Sequence, residues 1–158
     1  MTHIRIMNAS RGPIHKYVDL KRKLYKCIGN IYFNRQCLKQ HLTPSYANIR
    51  IPNTSPAHKY TQQKISTIRI KDEIKYLHTK KQKLNIQIYH LHISIANTWN
   101  NMWPLIQQNI EEKLHREERS KYKTLEYKIK RLTQTQTRTP RMPHTFHPQS
   151  YQQFRLLL

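Results

Sequence analysis

Residues 70–102 read IKDEIKYLHTKKQKLNIQIYHLHISIANTWNNM, and within them Ile70, Ile74, Leu77, Lys81, Leu84, Ile88, Leu91, Ile95, Thr98 and Met102 recur at alternating steps of four and three. Eight of those ten positions are apolar and neither Gly nor Pro interrupts the run, so the spacing predicts one amphipathic helix, a rod of about 50 Å at 1.5 Å per residue. A strand pattern competes, because Leu84, Ile86 and Ile88, then Leu91, Ile93 and Ile95, alternate with polar residues. Its parity slips at Tyr89-His90, where no turn residue stands, whereas the helical ladder continues past both sides. Ile86 and Ile93 lie opposite the main seam, so the helix is expected to be central and covered on two sides.

Working outward, Pro104 has no amide hydrogen and crowds the carbonyl of Asn100, which ends or sharply kinks this helix at Trp103. A further helix over 104–132 is carried by Ile106, Ile110, Leu114, Tyr122, Leu125, Ile129 and Leu132. Its Glu111, Glu112, Glu117 and Glu118 precede Lys128, Lys130 and Arg131, an order that suits the helix dipole. Upstream, Ser55 as N-cap and Pro56 at the first helical position start the central helix, expected over 56–103. Pro44 and Pro52 make 43–55 an extended connector, in which Ile49-Arg50-Ile51 could form only a strand without a partner. Before it, Tyr17, Leu20, Leu24, Ile28, Ile31, Leu38 and Leu42 predict a helix over 16–42, with Cys27 beside Ile28. Residues 1–15 read as a flexible N-terminal arm closed by Arg11-Gly12-Pro13, and the Thr/Gln/Pro-rich 133–158 as a disordered tail.

The expected fold is therefore all-α, with three long helices over 16–132 in a bundle or an extended coiled-coil-like arrangement and a disordered C-terminal tail. Heptad lettering puts Ile74, Ile88 and Ile95 at a and Leu77, Leu84 and Leu91 at d, the choice favoured by parallel two-stranded coils. These six are the candidate seam through which the chain could pair as a homo-oligomer. The flanking e and g positions offer almost no complementary charge, so packing within a bundle is preferred.

With 158 residues the chain is one domain at most, and 29 Lys and Arg against 8 Asp and Glu leave a formal charge of +21. Two glycines exclude phosphate loops and dinucleotide fingerprints, and two cysteines exclude a disulfide framework. No apolar leader core occurs in the first dozen residues, which gives an intracellular expectation, cytoplasmic or nuclear. Leu84 to Ile110 carries no charge, yet Asn85, Gln87, His90, His92, Asn97 and Asn100 scatter around every face, which argues against a membrane span.

Residues 1–71 hold 14 Lys and Arg and a single acid, Asp19, so the cationic excess is N-terminal. Such an imbalance calls for a polyanion, and RNA or DNA bound through its phosphates with little sequence specificity is the leading expectation, ahead of a solvated basic surface or an acidic protein partner. Lys21, Arg22, Lys23, Lys26, Arg35 and Lys39 are the candidate phosphate contacts, with Tyr25 and Tyr32 as candidate base-stacking residues. No catalytic, metal or cofactor site emerges. The adjacent acid pairs point in different directions on a helix, and Cys27, Cys37 and His41 lack a recognised zinc spacing. No small-molecule substrate and no enzymatic activity are expected.

Three pieces of sequence carry a resemblance: Cys37-Leu38-Lys39-Gln40-His41-Leu42-Thr43-Pro44-Ser45-Tyr46; Arg69-Ile70-Lys71-Asp72-Glu73-Ile74; and Leu91-His92 with Ala96-Asn97-Thr98-Trp99 and Lys121-Tyr122. Between about Leu24 and Thr145 the chain resembles the region upstream of the polymerase domain in reverse-transcriptase reading frames of Penelope-like retroelements. The resemblance implies a helical nucleic-acid-handling segment of a replicase, here a fragment. No Tyr-x-Asp-Asp occurs, so polymerisation is not expected of this chain. The alternatives are a helical protein–protein interaction module and a non-functional retroelement remnant.

Overall fold

A computed structural model describes residues 2–47 and 55–136 of the chain. Its elements are α1 (Thr2–Lys39), a 3-10 turn at Ser45–Ala47, α2 (Pro56–Trp99), a 3-10 turn at Asn100–Met102 and α3 (Trp103–Gln136). The described residues are helical and contain no strand, in keeping with the all-α expectation. Among them no helix is long and apolar enough to cross a membrane.

The ends of the helices follow local chemistry. At the start of α2 the Ser55 side chain accepts from the His58 amide at 3.3 Å, with Pro56 next in the chain, so an orphan donor of the first turn is satisfied as expected. α1 ends at Lys39, three residues earlier than the apolar spacing suggested. The Leu42 amide donates to Cys37 O at 2.8 Å and the His41 amide to Leu38 O at 3.4 Å, the paired bonds of a Schellman turn. His41 takes the left-handed position usually given to Gly, with φ 54°, so Cys37 and His41 do not share a helix face.

Other boundaries also differ from expectation. α1 begins at Thr2, not Lys16, and passes through Gly12 and Pro13. Pro13 gives up the bond its nitrogen would have donated to Ala9 O and crowds that carbonyl, a cost of about 3 kcal/mol, yet the helix runs on through it and through Gly12. α2 stops at Trp99, because Asn100 adopts φ 47° while its amide still donates to Ala96 O; three 3-10 residues then turn the chain into α3 at Trp103. Thr133–Gln136, expected in the tail, extend α3, and the Thr133 hydroxyl is buried and donates to Ile129 O at 2.9 Å. The Ile49-Arg50-Ile51 option and the tail beyond residue 136 lie outside the described residues.

α1 packs antiparallel to α2. Cys27 Sγ donates to Leu77 O at 3.0 Å, and further along Ser66 Oγ donates to Ala47 O at 3.1 Å. α1 runs parallel to α3, since Tyr17 meets Trp103 and Tyr32 meets Tyr122. One core joins Tyr17, Leu20, Leu24, Ile28 and Ile31 to Leu77, Leu84, Ile88 and Ile95 of α2 and Trp103 and Leu114 of α3, with Leu91 against it. A second, at the other end, gathers Tyr32, Cys37, Leu42, Ala47, Ile70, Tyr122 and Ile129, with Ile74 against it. The candidate seam is therefore covered by α1 and α3 of the same chain. Both neighbours approach α2 from its seam side, so Ile86 and Ile93, expected to be covered, stay 58% and 40% exposed.

Ile95 is almost wholly buried, so Ile95→Ala is expected to cost about 2–5 kcal/mol of unfolding free energy in a urea titration followed by circular dichroism. Leu84→Asp places a carboxylate in the intramolecular core and is expected to reduce helicity at concentrations where the protein is monomeric; retained helicity would show that the seam is not buried this way.

Candidate nucleic-acid interface

Helical periodicity distributes the cations of α1 around its polar face, and α3 docks along one edge of that face. Lys21 Nζ meets Glu111 at 2.9 Å and lies 5.4 Å from the centroid of the Tyr25 ring. Arg22 makes a two-pronged pair with Glu117, Nε and Nη2 donating at 3.1 and 2.9 Å. That fork holds the Glu117 carboxyl below the usual carboxylate range and lifts the Arg22 guanidinium further. Lys21 and Arg22, expected as phosphate contacts, thus tie α1 to α3.

The two candidate stacking residues are core residues. Tyr25 is 2% exposed, and its hydroxyl donates to Glu111 Oε2 at 2.5 Å. Tyr32 packs on Tyr122 and donates to Glu126 Oε1 at 3.2 Å. Burial, then the adjacent Glu111 carboxylate, pushes the Tyr25 phenol well above its ordinary value, so the group stays protonated. A base cannot reach either ring, which removes both from the stacking surface. Their apolar spacing in α1 was the sequence signal for this, and it outweighs their neighbouring cations.

Lys23, Lys26, Arg35 and Lys39 remain exposed. Among the described residues Lys23 pairs with Asp19, one turn away at 3.3 Å, a solvent-screened contact of small energy. Arg35 Nη2 lies 3.1 Å from His78 Nε2. Lys64, Lys71 and Lys75 add to these cations from the outward face of α2, where all three are exposed around Ile68. Their spacing of seven and four is the sequence signal that places them on one face.

The acids of α3 are not dipole ligands, because its first turn contains none. Glu111, Glu117 and Glu126 instead accept from α1, and Glu118 is buried with Lys121 Nζ at 3.6 Å. Burial raises the Glu118 carboxyl above its ordinary value. The cysteines offer no nucleophile: burial pushes the Cys37 thiol up to about 12, and Cys27 is also raised by burial. Among the described residues no group of three or more His, Cys, Asp or Glu could hold a metal ion.

At the hairpin end, Trp103 Nε1 donates to His92 Nδ1 at 2.9 Å, and the Trp103 ring meets Tyr17 edge-on at 5.0 Å. These three side chains join the three helices. Comparison with protein-family models, with curated proteins and with solved structures finds no match for this chain.

Burial first, then Arg35 and Lys81, lowers the His78 imidazole below its ordinary 6.5. A lowered folded-state value means that the unfolded chain binds the proton more readily. Its contribution to stability is therefore complete above pH 6.5 and is lost as pH falls through the lowered value. The His78 proton resonances are expected to titrate with a midpoint below 6.5, moving part of the way back in Arg35→Gln; a midpoint at or above 6.5 would mean that the Arg35 contact does not persist in solution.

Proposed function

We propose that the chain is a non-enzymatic, helical, RNA- or DNA-binding segment that contacts phosphates with little sequence specificity. One observation carries this reading: four of the eight acids, all on α3, are engaged with α1 or buried, while Lys23, Lys26, Arg35 and Lys39 of α1 stay exposed. With a formal charge of +21, that exterior is a field that a polyanion would neutralise. Lys23, Lys26, Arg35 and Lys39 of α1, joined by Lys64, Lys71 and Lys75 of α2, are its phosphate contacts. The relation to the pre-polymerase region of Penelope-like replicases belongs to the same reading. Its motif residues Cys37, Leu42, Ile70 and Tyr122 meet in the second core, so what they have in common here is packing.

The test is fluorescence anisotropy of a labelled single strand over a salt series. Seven phosphates neutralised by the α1 and α2 cations give a log–log slope of about −5, and Lys26→Gln or Lys39→Gln flattens it by about 0.7 each. Binding that ignores salt, or no binding at low salt, overturns the reading.

A second reading has its own support. Ile86, Tyr89 and Ile93 are exposed at three-four spacing in a stretch that carries no charge, the part of this cationic molecule where two like-charged copies could approach with least repulsion. Pairing would then use this outer face of α2, since the inner seam is already covered. Sedimentation equilibrium is expected to show a dimer that Ile86→Asp with Ile93→Asp dissociates without loss of helicity; a monomer at all concentrations removes this reading.

A further inference from the structure

At the end of the bundle away from Trp103, a cavity of about 610 Å³ opens between α1, α2, α3 and the Ser45–Ala47 turn. That volume lies within the range of small-molecule and nucleotide sites. Phe33 and Tyr46 bring aromatic rings to its lining, Lys128 and Arg131 bring two cations one turn apart on α3, and Glu73 brings a carboxylate from α2. Neither cation makes an ion pair among the described residues.

Asn34 is the unusual part of this lining. It is 3% exposed, and its Nδ2 donates to Asn30 O at 2.8 Å. Only the amide nitrogen can donate to a carbonyl, so Oδ1 is the atom left over, and it is buried with no hydrogen-bond partner. A buried acceptor left unpaired destabilises the fold, and Leu would fill the same volume without that cost. Asn30 O already receives its α-helical bond from the Asn34 backbone amide. The side chain can therefore turn about its soft terminal torsion and present donor and acceptor together to a ligand.

We propose that this cavity holds one unstacked adenine nucleotide of a bound strand, its base edge on the Asn34 amide and its phosphate on Lys128 and Arg131. The proposal rests on the nucleic-acid reading above and deepens it. An Asn amide matches the N6–H and N7 edge of adenine with two bonds. Phe33 and Tyr46 supply apolar and aromatic surface for the ring. Glu73 accepts from ribose hydroxyls and, by repulsion, keeps the phosphate on the α3 side. The exposed cations of α1 and α2 then hold the strand by charge, while this cavity selects one base.

Isothermal titration of the full chain with AMP, UMP and ribose 5-phosphate tests this, alongside anisotropy with a long single-stranded RNA. AMP is expected to bind about tenfold more tightly than UMP or ribose 5-phosphate. Asn34→Leu is expected to abolish that preference while leaving the melting temperature unchanged or raised, which a purely structural Asn34 would not do. Lys128→Gln with Arg131→Gln, both on the surface, is expected to reduce AMP affinity to that of adenosine, and serves if Asn34→Leu fails to fold. Equal affinity for AMP and ribose 5-phosphate, or an unchanged preference in Asn34→Leu, overturns the inference. Long RNA bound with the expected salt slope but without AMP preference leaves the general reading standing and removes only this one; AMP preference without long-RNA binding overturns both as stated, leaving a site for the free nucleotide.

Discussion

An imide nitrogen that cannot donate, at Pro104, lies where the long apolar ladder would otherwise run on as a single rod. With Asn100 in a left-handed conformation and three 3-10 residues behind it, the chain reverses and α3 returns alongside α2. α1 closes against both. Every contact between α1 and α3 depends on that reversal, including Tyr17 against Trp103 and the pairs of Lys21 and Arg22 with their glutamates. A straight helix would have left the glutamates in water and the seam of α2 half covered.

The electrostatics of the molecule follow from this packing. In a chain with 8 acids, directing Glu111, Glu117, Glu118 and Glu126 toward α1 or the interior makes the exterior more uniformly cationic than composition alone implies. The same contacts carry a structural cost if they are removed singly, because a buried or half-buried partner is then left uncompensated. Folding and the proposed binding therefore draw on different members of one set of lysines and arginines. Lys21 and Arg22 hold helices together, while Lys23, Lys26, Arg35 and Lys39 face solvent. The cavity at the opposite end from Trp103 is, in the reading proposed above, a site of another kind, in which a single unpaired acceptor would discriminate among bases.

Much of the architecture was legible in the residues. The ladder from Ile70 to Ile95 and the Ser55-Pro56 start are local matters of periodicity and capping, and they appear where the chain chemistry puts them, whereas the break expected at Trp103-Pro104 falls four residues earlier, at Trp99. The ends of α1 were less legible. Gly12 and Pro13 resemble a turn, yet the helix runs through both; and His41 closes the last turn in a role that sequence preference favours for Gly. The candidate site was legible only in outline. That α1 is cationic could be read directly, but Tyr25 and Tyr32 resemble stacking residues until α3 covers them.

Hydrophobic spacing, proline positions and the charge of +21 thus specify the helical class, the places where the chain turns and the sign of its surface, because each acts within a few residues or as a simple sum. Which cations are neutralised, which face of α2 is left bare and where the Asn34 Oδ1 is buried without a partner were decided only by the packed helices. The physical reason is range: Arg22 and Glu117 stand 95 positions apart, and Tyr32 and Glu126 stand 94. No local rule brings such groups together; the angle at which three rods share two cores does.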